Sequence, residues 1–212
     1  MSLTLVSTLV LPLSAQVVMT EGFDQTLPPA APCNVPAQNL PFGWNQGKIV
    51  GASIYNVFDR LACATNPAVP TPRTGAGMCR YRAYLAPAGE KAYMVSKAYD
   101  FSARPAATTS LFSFWMFRDN VSFQANADSI TVWINTVPTL TGATCLTDTV
   151  NGLFTINRSC ALAPVPVVNP GWNIYYYRIP ASPAASGWNV SKVYVFIKGC
   201  SRFGNDILLD DF

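Results

Sequence analysis

The length, composition and charge of the chain limit what it can be. Its 212 residues are enough for one domain of generous size, and half of them are apolar, so a substantial core can be buried. The formal charge is +3 without a dense run of Lys or Arg, which disfavours a nucleic-acid partner. The chain has no histidine, which removes Ser-His-Asp and Cys-His catalysis and every His-ligated zinc site.

The first apolar segment has two interpretations. Residues 3–13 (LTLVSTLVLPL) precede small residues, as in a secretory signal cleaved near Ala15, although no Lys or Arg lies ahead of them. The segment could instead be a strand that pairs with a neighbouring copy of the chain. One face of that strand would then carry Leu3, Leu5, Leu9 and Leu11. It is too short to span a bilayer. Residues 1–15 are therefore predicted to be a signal peptide or a donated assembly strand.

The rest of the chain has the pattern of a β-sandwich. Seventeen prolines and thirteen glycines separate short apolar or alternating runs, and no long segment has helical periodicity. The predicted strands are, in chain order, residues 49–57, 111–117, 130–134, 173–179, 193–198 and 207–212. Residues 26–74 are predicted to be a long, partly irregular loop within a Cys- and Pro-rich insertion at about residues 28–80. Without a second domain or a repeat, residues 16–212 are predicted to form one antiparallel two-sheet β-sandwich.

The cysteines favour disulfides formed in an oxidising compartment. They are Cys33, Cys63, Cys79, Cys145, Cys160 and Cys200. They include no C-x-x-C pair, which disfavours zinc ribbons and thioredoxin-like motifs. An even number on widely spaced, loop-rich segments suits an exported protein. The favoured pair is Cys145 with Cys160, because both flank one excursion between predicted strands; alternatively, several cysteines are small buried hydrophobes.

Several motifs resemble one family of jelly-roll domains. They are Glu21-Gly22-Phe23-Asp24, Gly43-Trp44, residues 109–119 (TSLFSFWMFRD), residues 129–136 (SITVWINT), Gly171-Trp172 and Leu209-Asp210-Asp211. In this order, over residues 19–212, they resemble the choice-of-anchor-J or cleaved-adhesin domains, MAM-like modules of secreted bacterial surface proteins. The resemblance implies an all-β sandwich of jelly-roll type. It also implies a secreted, cell-surface module for adhesion or glycan binding, whose partner is a glycan or a surface protein.

The resemblance also implies a candidate metal site, because some relatives carry structural calcium. The first and last strands of a jelly roll commonly lie side by side, and this would gather the acids Glu21, Asp24, Asp210 and Asp211. Clustered carboxylates repel one another unless a cation neutralises them, and Ca²⁺ prefers oxygen ligands. The alternative is that these acids are solvated or hydrogen-bonded at the strand ends.

Aromatic side chains are the candidate ligand-binding residues, since the CH-rich faces of sugars pack on aromatic rings. The candidates are Tyr81, Tyr84, Trp172 and Trp188, with the alternative that each of them fills the core. Acids are scarce in the middle of the chain and G-x-S-x-G is absent, so the chain is interpreted as not being an enzyme. A second hypothesis is a structural subunit that assembles with copies of itself into an extracellular fibre or layer by donating its N-terminal strand.

Overall fold

The fold is all-β. The computed structural model describes residues 20–24, 40–69, 71–103, 110–162, 169–179 and 191–212. Within these ranges the chain forms no helix, and none of them offers an apolar helix that could cross a membrane. The strands are β1 (Asn45–Val50), β2 (Phe58–Leu61), β3 (Ala64–Thr65), β4 (Ala68–Val69), β5 (Met78–Tyr81), β6 (Lys91–Val95), β7 (Ser110–Arg118), β8 (Ser129–Asn135), β9 (Thr144–Cys145), β10 (Thr155–Asn157), β11 (Gly171–Ile179), β12 (Tyr194–Cys200) and β13 (Ile207–Asp210).

The strands form two antiparallel sheets, which confirms the predicted sandwich. The first sheet has the order β1-β6-β12-β8-β10, with β9 beside β8, and the second has the order β11-β7-β13-β5-β2. From β6 onward the long strands alternate between the sheets, as in a jelly roll: β6, β8 and β12 lie in the first, and β7, β11 and β13 in the second. The β3–β4 hairpin forms a small ladder of its own.

The core lies between the two sheets and follows from the alternation along each strand. In β7, Phe112, Phe114 and Met116 are buried, whereas the intervening side chains are half-buried or exposed. Phe114 illustrates the packing, because its ring centroid lies 5.7 Å from that of Tyr177 and 5.6 Å from that of Phe212. Aromatic rings therefore join the second sheet to the end of the chain.

Most predicted strands are confirmed. Residues 111–117, 130–134 and 173–179 lie within β7, β8 and β11, whereas residues 193–198 and 207–212 overlap β12 and β13.

The predicted strand over residues 49–57 is wrong, because β1 ends at Val50. Gly51 has a φ of 89°, and its backbone approaches the Glu90 side chain so closely that a Cβ there would lie 2.2 Å from Oε1. The side-chain amide of Asn56 donates to the carbonyls of Val50 and Lys91 and closes the loop. A turn thus divides the apolar run.

The predicted irregular loop over residues 26–74 is only partly irregular. Its described part contributes β1, β2 and the β3–β4 hairpin. Pro41 precedes β1, Pro67 lies in the β3–β4 turn and Pro72 follows β4, so these prolines lie outside the strands and do not prevent them. The predicted assembly residues Leu3, Leu5, Leu9 and Leu11 lie outside the described residues.

The two ends of the described fold pair with each other, as expected for a jelly roll. The N–H of Glu21 donates to the Phe212 carbonyl, and the N–H of Phe212 donates to the Glu21 carbonyl, both at 2.9 Å. The rings of Phe23 and Trp44 pack on Phe212. This antiparallel bridge brings together the predicted acids near the two ends.

The structure corrects the predicted disulfides. Cys63 is disulfide-bonded, whereas Cys79, Cys145, Cys160 and Cys200 are free.

The favoured pair, Cys145 with Cys160, is absent because the two residues lie toward opposite ends of β8. Cys145 pairs opposite Trp133, whereas Asn157, three residues before Cys160, pairs opposite Ser129. The two pairing positions are roughly 13 Å apart along the strand. A disulfide needs Cα atoms within about 7 Å.

Candidate functional site

A cleft of about 430 Å³ opens beside the second sheet and is the candidate functional site. One wall is the β3–β4 turn, residues 65–68. The opposite wall is Phe117 near the end of β7 together with the loop of residues 119–123. Tyr84, Pro170 and Asn205 complete the lining. A cleft of this size, with aromatic walls and a few polar groups, is typical of a small-molecule site.

Aromatic rings form much of the cleft wall. Tyr84 meets Phe123 edge to face, with ring centroids 6.0 Å apart and an interplanar angle of 68°. Phe117 meets Trp172, its cross-strand neighbour on β11, with centroids 5.5 Å apart at 80°. Trp172 also packs against the small apolar cluster that contains Leu208. These contacts fix the orientation of the rings before any ligand arrives.

Phe123 stands at the rim of the cleft in an unfavourable conformation. Its φ is 61°, and its side chain is 42% exposed. The left-handed region costs a bulky L-residue roughly 1–2 kcal/mol. The carbonyl of Phe123 accepts hydrogen bonds from Arg158 Nη2 at 2.9 Å and from the N–H of Asn126 at 3.0 Å, which hold the loop in place. The fold thus holds an aromatic ring in partial contact with solvent at a backbone cost, a pattern associated with ligand sites.

Two buried polar side chains lie at the floor of the cleft. Asp119 and Asn205 are each 2% exposed and still line it. Asn205 Nδ2 donates to Asp119 Oδ1 at 3.4 Å and to the Ser122 carbonyl at 3.2 Å. Asn205 is therefore a polar group of the cleft lining that carries no charge.

A buried ionic cluster beneath the floor ties the cleft loops together. Arg158, fully buried on the segment after β10, donates to Asp119 and lies 3.4 Å from Asp128. Asp128 Oδ1 in turn accepts the N–H groups of Arg202 at 2.6 Å and Gly204 at 3.1 Å. Burial raises the pKa of Asp128, whereas those N–H donors and Arg158 lower it. One guanidinium thus connects the loop of residues 119–123 with the loop that carries Asn205.

Tyr84 is held by a second buried cluster. Asp206 Oδ1 accepts the N–H of Tyr84 at 3.0 Å, and Asp206 Oδ2 lies 3.3 Å from Arg80 Nη1. Arg80 also forms a two-point contact with Asp59 at 2.8 and 2.9 Å. Burial raises the pKa of Asp206 to about 6, against the lowering effect of Arg80.

The structure separates the four aromatic residues that the sequence singled out. Tyr84 lines the cleft, and Trp172 supports Phe117 from behind. The choice of Tyr81 is wrong, because its ring is fully buried and its hydroxyl donates into the core, toward Asn56 Oδ1 at 2.9 Å. Trp188 lies outside the described residues.

Four lining residues were not predicted to bind a ligand. Phe117 and Asp119 were identified only as parts of the motif over residues 109–119, and Phe123 and Asn205 were not among the candidate ligand-binding residues. One available signal was Phe123 itself, a large aromatic in a polar connection between two strong strands. Nothing in the local sequence indicates that Asp119 and Asn205 meet.

The predicted calcium ligands are gathered at the other end of the second sheet, where their oxygens accept hydrogen bonds from the protein. These ligands are Glu21, Asp24, Asp210 and Asp211. Glu21 Oε1 accepts the N–H of Phe23 at 2.9 Å. Asp24 Oδ1 accepts the N–H of Ala76 at 2.7 Å. Among the described residues, no three acidic or cysteine side chains are placed to hold one metal ion.

The loop of residues 73–77 supplies most of these partners. Asp210 Oδ2 accepts the N–H of Arg73 at 2.9 Å, and Asp211 pairs with the Arg73 guanidinium and accepts the Thr74 hydroxyl. Burial and the adjacent Asp211 carboxylate raise the pKa of Asp210 to about 7, against three backbone N–H donors. The Arg73 guanidinium and backbone N–H groups thus stabilise these carboxylates, as a bound metal ion would.

Calcium binding by these acids stays a prediction, with a direct test. If Glu21, Asp24, Asp210 and Asp211 bind calcium, the melting temperature is higher in calcium chloride than in a calcium chelator, because binding stabilises only the folded state. Magnesium chloride at the same concentration is the control for ionic strength. Equal melting temperatures in calcium and in chelator would contradict the prediction.

Comparison with known proteins identifies the fold. No protein-family model matches the chain, and no significantly similar sequence is found among curated proteins. The K1 cleaved adhesin domain of Lys-gingipain from Porphyromonas gingivalis W83 is structurally similar, with a TM-score of 0.56 at 14% identity, covering 91% of this chain and 94% of that one. The Stig cyclase Fisc from Fischerella sp. TAU is also similar, with a TM-score of 0.56 at 13% identity, covering 89% and 90%. At such low identity these similarities concern the fold alone.

These comparisons correct one interpretation and agree with another. The sequence resemblance to cleaved-adhesin domains agrees, at the level of the fold, with the Lys-gingipain structure. The interpretation of the chain as not being an enzyme is contradicted, since Fisc is a cyclase with the same fold. The absence of histidine and of a G-x-S-x-G motif excludes particular mechanisms but does not exclude enzymes as a class.

Proposed function

We propose that this chain is an extracellular, surface-associated adhesion module that binds glycans in the cleft between the β3–β4 turn and the loop of residues 119–123. The observation that carries the proposal is Phe123, an aromatic ring that the fold holds at the cleft rim, partly exposed, at the cost of a left-handed backbone. A ring that served only the core would be buried, as the ring of Phe23 is.

The composition of the cleft suits the chemistry of a sugar. A pyranose has CH-rich faces that pack on aromatic rings, and here Tyr84, Phe117 and Phe123 supply such rings. Its hydroxyl groups both donate and accept hydrogen bonds, which matches the Asp119 carboxylate and the Asn205 amide. The buried clusters beneath keep these polar groups in place and lower the entropic cost of binding.

Two further observations support the proposal, one concerning the extracellular location and one concerning adhesion. Cys63 is disulfide-bonded, and structural disulfides persist in oxidising compartments. The Lys-gingipain domain, described as a cleaved adhesin, has the same fold, so this scaffold is compatible with adhesion.

Replacing Phe123 by asparagine tests the proposal. Asparagine tolerates a positive φ, so the free energy of unfolding should stay the same or rise slightly, whereas the stacking surface is lost. A glycan array with the wild-type protein identifies the ligand. Calorimetry should then show that its affinity for Phe123→Asn is at least about tenfold lower, or roughly 1.4 kcal/mol.

Phe203→Asn is the matched control. Phe203 has the same unusual backbone, with a φ of 62°, and is 53% exposed, but it does not line the cleft. This variant should keep wild-type affinity. Equal loss in both variants, or no glycan bound by the wild type, would refute the proposed function.

A further inference from the structure

We infer that the glycan bound in the cleft is electrically neutral, a hexopyranoside without a carboxylate, sulfate or phosphate group. The inference rests on the proposed function and names the chemical class of its ligand. It follows from the charges in and beneath the cleft.

The cleft offers no cation to an acidic ligand. Among the described residues that line the cleft, none is Lys or Arg, and the acidic residue among them is Asp119. The guanidinium beneath the floor is already engaged: Arg158 Nη1 contacts Asp119, Nε contacts Asp128, and Nη2 donates to the Phe123 carbonyl. Each nitrogen of that side chain already contacts an oxygen of the protein.

The buried charged groups nearest the cleft are already held by partners within the protein. Asp119 and Asp128 share Arg158. The buried guanidinium of Arg118 donates to the carbonyls of Arg158 and Ser159 and to the Tyr175 hydroxyl. On the Tyr84 side, Asp59 and Asp206 are both in contact with Arg80, and Arg82 lies 3.7 Å from Asp59. A ligand carboxylate entering the cleft would leave water, find no cation and approach Asp119.

The polar groups that do face the cleft are suited to hydroxyls. Asp119 Oδ1 accepts two long hydrogen bonds within the described part of the chain, from the N–H of Val121 at 3.3 Å and from Asn205 at 3.4 Å, so it can also accept a hydrogen bond from a ligand hydroxyl. The amide of Asn205 is a second polar group of the lining and is uncharged. Asn120, exposed on the same wall, supplies both a donor and an acceptor without charge.

Matched pairs of sugars test the inference. Wild-type protein is titrated with the methyl glycosides of glucose, galactose and mannose, with the corresponding uronic acids, and with lactose against 3′-sialyllactose. We expect each neutral sugar that binds to do so at least tenfold more tightly than its acidic partner. Raising sodium chloride from 50 to 500 mM should change the neutral affinity less than twofold, because no ion pair is screened.

A gain-of-function variant provides the second readout. Asn120→Lys places a cation at the exposed rim and should improve binding of the acidic partner at least threefold, whereas the uncharged control Asn120→Gln should not. Acidic sugars bound more tightly than their neutral partners by the wild type would overturn the inference and leave the proposed glycan function intact. If no sugar of either kind binds, the proposed function fails and the inference fails with it.

Discussion

Replacing Arg158 by alanine is expected to lower the free energy of unfolding by about 3–5 kcal/mol, because it leaves two buried carboxylates without their cation. Arg158 and Asp128 are fully buried, and Asp119 is nearly so. The substitution also removes the donor to the Phe123 carbonyl. For a domain of this length the loss corresponds to a fall in melting temperature of roughly 6–20 °C.

The measurement is urea unfolding of the wild type, of Arg158→Ala and of a matched control, Arg202→Ala. The Arg202 side chain is exposed, and its N–H to Asp128 survives truncation, so the control should lie within about 0.5 kcal/mol of the wild type. Replacing Arg158 by methionine together with Asp119→Asn and Asp128→Asn should recover part of the loss, since no unpaired charge remains. An Arg158→Ala variant as stable as the control would show that the cluster is unimportant.

The same cluster links stability to the proposed site. Arg158 holds the carbonyl of Phe123 and the carboxylate of Asp119, one at the rim and one at the floor of the cleft. The loop of residues 119–123 carries much of one wall. Loss of the guanidinium should therefore reduce glycan binding even at temperatures where the domain stays folded, because the cleft is no longer preorganised.

The strands were predictable because their signal is local. Residues 130–134 alternate between core and surface with a period of two, and residues 111–117 form a continuous apolar run, so each fixes its own strand. The wrong strand over residues 49–57 shows the limit of this signal. The turn at Gly51 depends on contacts with Glu90 and Asn56, which the alternation of apolar and polar residues does not show.

The cleft could not be predicted, because it depends on contacts between distant parts of the chain. Tyr84 and Asn205 are more than one hundred residues apart, and they line the same cleft only because β5 and β13 are neighbours in the second sheet. Tyr81 and Tyr84 look equivalent in the sequence, yet β5 directs the first into the core. Cys145 and Cys160 are close in sequence, but β9, which contains Cys145, and β10, which ends three residues before Cys160, pair with different parts of β8.

The buried acids predict an unusual dependence of stability on pH. Burial raises the pKa of Asp206 to about 6 in the folded protein, from an ordinary value of 3.8. Burial also raises the pKa values of Asp59 and Asp128. An acid whose pKa is higher in the folded state binds its proton more tightly there, so it stabilises the fold below about pH 4. That contribution is lost as the pH rises to about 6.

We therefore expect the free energy of unfolding to fall between pH 4 and pH 7, with Asp206 contributing on the order of 3 kcal/mol to the decline. Asp206→Asn, whose side chain does not titrate, should make the decline smaller. The remainder belongs to the other acids with raised pKa values, among them Asp210 with a pKa of about 7. The control is Asp100→Asn: this exposed acid has its pKa lowered by hydrogen bonds from Ser102, so its removal should leave the decline in place. Urea midpoints measured at intervals of one pH unit decide the matter. Stability that rises steadily from pH 4 to pH 7 would mean that Asp206 is charged in the folded protein and that its contacts with Arg80 and the N–H of Tyr84 outweigh its burial.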